Sequence, residues 1–173
     1  MPYPKQGFIL SVNSNLDYWA ARSGEDYRLQ QESRADGLNN AYEIQEVWLT
    51  KFLHDFSGGR KGSQTRLLDY GCGFGRVARV VCELEAVEYF GFDFSRSMTS
   101  SFKANPPSRL RSNIDHHVRI ADRLDSVFPA SEKFDVILSI SVLIHNPPAA
   151  VTEILERMLE RLAPDGVVVL IEN

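Results

Sequence analysis

Three glycines at every second position, Gly71, Gly73 and Gly75, constrain the fold of this chain more than any other feature. An apolar run ends at Asp69 just before them, and apolar residues recur at helical spacing from Val77 onward. This pattern predicts a strand, a tight turn and a helix. Glycine is needed where the backbone takes a positive φ or where a ligand approaches the main chain closely. The helix start offers unpaired N–H groups to an anionic ligand.

The spacing of the glycines separates two classes of cofactor site. Dinucleotide-binding turns have the third glycine three positions after the second. In this chain it comes two positions after, and Arg76 occupies the dinucleotide position. With an acid two residues before the first glycine, the turn resembles motif I of the class I S-adenosylmethionine-dependent methyltransferases. The resemblance implies that this turn binds the cofactor, through Asp69, Gly71, Cys72, Gly73 and Gly75. A glycine turn that binds no ligand is the alternative.

Composition and charge limit the partners. The 173 residues suffice for one domain with a full core. The net charge of −4 and the scattered Lys and Arg residues give no basic footprint, so we expect no nucleic-acid partner. No apolar run is long enough to span a membrane, and the N-terminus lacks a signal-peptide pattern, so we expect no membrane partner. Cys72 and Cys82, the two cysteines, suggest neither a disulfide scaffold nor a metal site, which favours the cytoplasm.

Residues 1–62 are predicted to form a helical cap and a linker. One helix is predicted from Leu16 to Ser23, and a second, amphipathic one starts at Ala41. The apolar positions of the second helix are Ile44, Val47, Trp48, Phe52, Leu53 and Phe56.

The segment 18–22, Tyr-Trp-Ala-Ala-Arg, resembles a helical segment that lies over the cofactor in many small-molecule methyltransferases. Arg22 could then pair with the carboxylate of the methionine moiety. The alternative is a surface arginine beside a packed aromatic pair. Arg34 is a weaker candidate for the same role.

A second strand is predicted over 87–93, and it ends in Asp93. An acid at this strand end can accept hydrogen bonds from both ribose hydroxyls. Its alternative role is to cap the next helix together with Ser95. Phe94 and Met98 are the neighbouring candidates for cofactor contact, and Met98 fits a core position equally well.

A short third strand is predicted over 117–120, followed by Asp122 and Arg123. The resemblance implies that Asp122 receives the adenine amino group, with Arg123 beside it. A solvated loop acid is the alternative for Asp122. His116 and His117 would point to opposite faces of a strand, so they could not chelate one metal, and no metal site is predicted.

Two further strands complete the predicted sheet, over 134–141 and 167–172. Between them lies a helix that starts at Pro148, with apolar positions Val151, Ile154, Leu155, Met158, Leu159 and Leu162. Alternation of strands and helices predicts an α/β fold, a Rossmann-like doubly wound parallel sheet over 63–173. Ligands bind at the carboxyl ends of such strands, where Asp69, Gly71, Asp93, Asp122 and Ser139 are expected to converge.

Two features depart from the family pattern. The segment 146–149, Asn-Pro-Pro-Ala, only superficially resembles the Asn-Pro-Pro-aromatic motif of amino-directed methyltransferases, because it lies past the strand end and lacks the aromatic residue. The family sheet usually continues beyond the fifth strand with a helix and an antiparallel pair. The chain therefore looks cut short after five strands, and the fifth would be an unpaired edge. Through this edge the chain could self-associate, or its own N-terminal segment could cover it.

The resemblance implies transfer of a methyl group from S-adenosylmethionine, and we expect a small-molecule or sugar-like acceptor. An O-acceptor ranks first, and an N- or C-acceptor is the alternative. A hydroxyl acceptor needs a base to take its proton, and His145 lies just beyond the fourth strand, at the rim of the expected pocket. Helix capping or loop packing is the alternative for His145. Two other functions stay open: a non-catalytic S-adenosylmethionine-binding regulatory or scaffold domain, and an NAD-dependent dehydrogenase, which the glycine spacing disfavours.

Overall fold

A computed structural model describes residues 12–33, 38–60 and 62–172 of the chain. The strands are β1 (Thr65–Tyr70), β2 (Val87–Asp93), β3 (Val118–Ile120), β4 (Phe134–Ile140) and β5 (Leu162–Ile171). The helices are α1 (Val12–Ala21), α2 (Gly24–Ser33), α3 (Leu38–Gly58), α4 (Arg76–Val81), α5 (Arg96–Ala104), α6 (Ile114–His117) and α7 (Pro148–Leu159).

The five strands pair in the order β3-β2-β1-β4-β5, and every pair is parallel. The order reverses beside β1, because β2 lies on one side of it and β4 on the other. A parallel sheet of this kind leaves a crevice at its carboxyl edge where the strand order reverses. The Rossmann-like α/β fold predicted from the sequence is confirmed. The predicted boundary between the cap and the core falls between α3 and β1, and it stays a prediction.

Two apolar clusters cover the two faces of the sheet. The neighbouring residues Leu67 and Leu68 of β1 belong to opposite clusters, as alternation along a strand requires. Leu49 and Leu53 of α3 pack in the cluster around Leu67, and Met158 of α7 packs in the one around Leu68. Both faces are covered, which is why the sheet is built from nearly continuous apolar runs.

The cap holds a helix that the sequence prediction missed. Ser23 and Gly24 end α1 as expected, but α2 begins at once and extends to Ser33. The Ser23 hydroxyl accepts a hydrogen bond from the backbone N–H of Asp26, and Glu25 and Asp26 lie in the first turn. The motif Ser-x-x-Asp at 23–26 is the signal that could have revealed this start.

The predicted core face of α3 is partly wrong. Ile44, Val47 and Trp48 are exposed, by 69%, 70% and 47%, whereas Leu49 and Leu53 are buried. Residues four positions apart share one side of a helix, so contact through Leu49 and Leu53 turns the earlier apolar positions away from the sheet.

Two strand boundaries also differ from the predictions. The prediction that β3 begins at His117 is wrong, because His117 ends α6 and its Nδ1 lies 2.8 Å from the carbonyl oxygen of Tyr89. β5 begins already at Leu162, which was placed on the helical stripe. Its register with β4 then shifts, so that Phe134 pairs with Leu162 but Val136 pairs with Val167. The stripe was also wrong at Leu159, which is 60% exposed.

Candidate functional site

A cavity of about 390 Å³ lies at the carboxyl ends of β1, β2 and β4. The cap, the glycine turn, the segment after β2, the loop after β3 and the start of α7 contribute to its walls. Most of the residues predicted from the sequence line it: Asp69, Gly71, Cys72, Gly73, Asp93, Phe94, Met98, Asp122, Arg123 and His145. Three predicted residues, Arg22, Gly75 and Ser139, are not among its lining residues.

The carboxylate of Asp93 joins the glycine turn to the end of β2. The backbone N–H of Gly73 donates to its Oδ2 at 2.8 Å, and that of Ser95 donates to its Oδ1 at 2.8 Å. Burial raises the pKa of Asp93, and these backbone N–H groups oppose the rise. Each carboxylate oxygen keeps a further lone pair, so Asp93 can still accept hydrogen bonds from a ligand in the cavity.

Asp69 is a second buried acid in the same wall. Its carboxylate is 2% exposed and accepts a hydrogen bond from the Tyr89 hydroxyl at 2.8 Å. Burial raises its pKa to about 7, although the bond from Tyr89 and the positive charge of Arg76 act in the opposite direction. Asp69 can therefore change its charge near neutral pH.

The glycines of the turn serve different purposes. Gly73 has a φ of 53°, and a Cβ built on it would have no atom within 4 Å, so its backbone faces open cavity space. Gly75 has a φ of 85°, and an added Cβ would lie 2.5 Å from the ring of Phe102. Gly75 therefore permits close packing of the turn on α5, while Gly73 leaves a cradle for a ligand.

The cap closes one side of the cavity with aromatic rings. Trp19 and Tyr27 line it, and their ring centroids lie 5.3 Å from His145 and 5.8 Å from Phe74. The Ser95 hydroxyl donates to the carbonyl oxygen of Trp19 at 2.9 Å, which attaches α1 to the start of α5. Trp19 belongs to the segment 18–22, which was expected to lie over the cofactor, although only Arg22 of that segment was predicted to contact it.

Of the described arginines, Arg76, Arg123 and Arg157 line the cavity, and Arg22 does not. The Arg22 guanidinium lies 4.5 Å from the centroid of the Tyr27 ring and donates to Gln30 at 2.8 Å and to Tyr18. The Arg76 guanidinium lines the cavity and lies 4.4 Å from the centroid of the Tyr42 ring.

Arg76 also donates to Glu46 and Gln45, both at 3.0 Å. In the sequence, Arg76 stands where a dinucleotide-binding turn has its third glycine, and this departure was the signal that singled it out. Arg34 lies outside the described residues.

Ser139 faces away from the cavity because side chains alternate along β4. It is fully buried and donates to the Glu172 carboxylate at 3.0 Å. The next three residues, Ile140, Ser141 and Val142, line the cavity instead. Ser141 has a φ of 54°, so the chain leaves β4 through a left-handed residue at the rim of the site. Residues in this sparsely populated region concentrate at functional sites.

His145 ends a short 3-10 turn, Leu143–His145, beside the cavity. Burial lowers its pKa, and the negative charge of Glu172 partly opposes this. The imidazole is therefore neutral at physiological pH and can accept a proton. The cap position of α7 is taken by Pro147, without a side-chain cap, so His145 does not cap that helix.

Comparison with known proteins identifies the family. The profile of the methyltransferase domain family matches residues 41–172. The chain belongs to this family. The resemblance to class I S-adenosylmethionine-dependent methyltransferases is thereby confirmed. No curated protein matches the sequence. None of the helices in the described residues is long and apolar enough to cross a membrane.

Solved structures of methyltransferases share the fold. An S-adenosylmethionine-bound amino pentose methyltransferase from Micromonospora echinaspora, involved in calicheamicin biosynthesis, is 18% identical with a TM-score of 0.61; the match covers 85% of this chain and 56% of that one.

A glycopeptide N-methyltransferase complexed with S-adenosylmethionine is 20% identical, with a TM-score of 0.52; the match covers 70% of this chain and 53% of that one. Magnesium protoporphyrin IX methyltransferase from Synechocystis, with bound S-adenosylmethionine, is 14% identical, with a TM-score of 0.56 and coverage of 84% and 69%. The chain thus spans about half the length of the first two proteins.

The different environments of the glycines lead to a stability prediction. Gly75→Ala should lower the free energy of unfolding by about 2 kcal/mol or more, because it combines overpacking against Phe102 with a left-handed φ. Gly73→Ala meets no neighbouring atom and should cost about 1–2 kcal/mol for its φ alone. Urea denaturation measures both, with Gly58→Ala as the control, since a Cβ there meets nothing within 4 Å. Equal losses for the Gly75 and Gly73 variants would contradict this assignment.

Proposed function

We propose that this chain binds S-adenosylmethionine in the cavity and transfers its methyl group to a small-molecule or sugar-like acceptor. The observation that carries the proposal is the bond from Gly73 N–H to the Asp93 carboxylate, which brings the motif I turn and the acid after β2 to one cavity wall. Family membership supports it, as do the bound cofactors of the structural neighbours.

The cavity wall offers a partner for each part of the cofactor. Asp93 would accept from the ribose hydroxyls, and Asp122 from the adenine amino group. Phe94 and Met98 would pack on the adenine ring. The backbone at Gly71 and Gly73 would lie along the methionine moiety, where Gly73 leaves open space. Arg76, and not Arg22, would face its carboxylate, because Arg76 lines the cavity.

The sulfonium of the cofactor supplies an activated methyl group, so the protein chiefly aligns the acceptor and excludes water. Trp19 and Tyr27 of the cap cover the cavity and would keep water from the reacting groups. For a hydroxyl acceptor, His145 would take the proton as the acceptor oxygen attacks. Its burial keeps it neutral and ready to do so. We therefore propose O-methylation.

His145→Gln should lower kcat by roughly 10²–10⁴-fold, the usual contribution of a general base, and leave affinity for S-adenosylhomocysteine unchanged. Because the pKa of His145 lies below its ordinary value of 6.5, the wild-type kcat, measured with saturating S-adenosylmethionine, should stay level around neutral pH. It should fall only in acid, where His145 is protonated. Steady-state kinetics with a hydroxylated sugar acceptor measure both effects. His54→Gln, on the exposed side of α3, is the matched control. An unchanged rate in the His145 variant would remove His145 from the mechanism.

Cofactor binding is tested by thermal unfolding. A ligand at a hundredfold excess over its Kd stabilises the folded state by about 2.7 kcal/mol, which is about 5–10 °C for a domain of this size. S-adenosylmethionine and S-adenosylhomocysteine should each raise Tm by this amount, whereas NAD and ATP should not.

Asp93→Ala is the control that locates the effect, because the shift should shrink if the ligand occupies the cavity. A shift with NAD alone would overturn the proposal. A shift with both S-adenosyl ligands but no turnover on any acceptor would favour the non-catalytic binding domain.

We further propose that the chain acts in the cytoplasm, since both cysteines are free and buried. Its acceptor would enter beside the cap, where Trp19 and His145 meet.

Self-association through β5 is a separate proposal. Among the residues that the structure describes, β5 pairs only with β4, and Leu170 on it is 45% exposed. An exposed apolar edge strand is a template for pairing with a second copy. Leu170→Lys should therefore shift the chain toward the monomer in sedimentation velocity. Leu159→Lys, at an exposed position of α7, should not. A wild-type chain that is monomeric at all concentrations would contradict the proposal.

A further inference from the structure

Tyr89 reaches from β2 to the buried acid beneath the glycine turn. Asp69 of β1 pairs in register with Gly91 of β2, and Tyr89, Gly91 and Asp93 share one face of the sheet because they alternate along the strand. The Tyr89 side chain therefore extends past Gly91 and places its hydroxyl 2.8 Å from the Asp69 carboxylate. Tyr89 and Asp69 are each 2% exposed.

Gly91 makes room for this contact. A Cβ at Gly91 would lie 3.0 Å from the Tyr89 hydroxyl oxygen and 2.9 Å from the Cys72 sulfur. These distances are shorter than ordinary van der Waals contacts, so any larger residue would displace the phenol or the thiol. The ring of Tyr89 is held from the other side by Phe102, with centroids 6.2 Å apart. The hydroxyl is thus confined to the space above Gly91.

The charged and titratable groups around Asp69 come from several elements. β2 contributes Tyr89 and the negative charge of Asp93, and α4 contributes the positive charge of Arg76. The turn contributes Cys72, whose thiol pKa is raised by burial, so it stays neutral. On its other side Asp69 is in register with Leu138 of β4, an apolar residue.

The two buried acids of the cavity wall therefore differ in the groups that donate hydrogen bonds to them. Asp93 accepts from two backbone N–H groups, at Gly73 and Ser95, which any substitution other than proline leaves in place. Asp69 depends on a side-chain donor, the Tyr89 hydroxyl. The support of Asp69 can therefore be tested by a substitution that deletes a single hydroxyl.

We propose that Tyr89 is a positioning residue of the cofactor site, whose hydroxyl favours the ionised form of the Asp69 carboxylate and directs it at the α-ammonium group that S-adenosylmethionine and S-adenosylhomocysteine share. This inference rests on the proposed function. A cationic ligand group binds the ionised form of Asp69, so affinity follows the ionised fraction. Burial raises the pKa of Asp69 to about 7, so this fraction changes across neutral pH.

The first measurement needs no ligand. The carboxyl carbon of Asp69 is followed by NMR against pH in the free protein, with Asp69→Asn identifying the resonance. The wild type should titrate near pH 7. Tyr89→Phe removes a hydrogen bond to the charged form, so its midpoint should move up by about one pH unit or more. An unchanged midpoint would overturn the inference whether or not any ligand binds.

The second measurement is calorimetric titration with S-adenosylhomocysteine from pH 6 to pH 8.5. With a midpoint near 7, wild-type affinity at pH 6 should be about tenfold weaker than its high-pH limit. In Tyr89→Phe the same tenfold loss of affinity should occur at a higher pH. Above the new midpoint of the Asp69 titration, the affinity should again approach its high-pH limit. Tyr18→Phe, which removes a hydroxyl on the outer side of the cap, should follow the wild type.

Gly91→Ala provides a second variant should Tyr89→Phe fail to fold. It keeps the phenol but displaces its hydroxyl, so the midpoint should again move upward. Wild-type binding with a pH profile that neither variant shifts would overturn the role of Tyr89 and leave the proposed function intact. Absence of binding at every pH would overturn the proposed function, while the NMR titration would still decide whether Tyr89 controls Asp69.

Discussion

The site depends on one buried carboxylate. Asp93 accepts backbone N–H groups from Gly73 on one side and Ser95 on the other, so a single side chain ties the turn after β1 to the end of β2 and the start of α5. A buried carboxylate is tolerated only when it is hydrogen-bonded, and here backbone donors meet that need. The glycine turn is therefore held in a defined shape by β2, and its open face at Gly73 is directed at the cavity.

The same helix start holds the cap. The Ser95 hydroxyl donates to the Trp19 carbonyl oxygen, and the Gly24 N–H donates to the Ser97 hydroxyl at 2.9 Å. Gly24 allows this approach, since a Cβ there would lie 2.4 Å from the Ser97 carbonyl oxygen. The aromatic wall of the cavity is thus positioned through α5.

Two buried acids line the cavity, and their different hydrogen-bond donors give them different chemistry. Asp93 is supported by main-chain N–H groups, which do not titrate. Asp69 accepts a hydrogen bond from a phenol and lies near the positive charge of Arg76. Because its pKa is about 7, its charge changes with pH near neutrality. A site that takes a cationic ligand gains from an ionised acid, and the phenol contributes to keeping it so.

Local signals in the sequence determined the elements of this protein. Glycines at 71, 73 and 75, an acid at each of two strand ends and apolar runs of strand length predicted the parallel sheet, the bounds of β2 and the part of the cavity wall that the glycine turn and the end of β2 form. These are properties of a few adjacent residues, through φ, side-chain alternation and helical period, so they can be read without knowing the fold.

Only the tertiary structure decided which distant side chains meet. The cavity is lined by Arg76 and not Arg22, Ser139 turns to Glu172, and Tyr89 supports Asp69. Each outcome depends on the register between strands or on the packing between elements that are distant in the sequence. Tyr89 and Asp69, for example, lie 20 residues apart and meet because β2 pairs with β1. The period of apolar residues shows which face of a helix or strand a side chain lies on. Which other element covers that face depends on how the connections between the strands pack against the sheet.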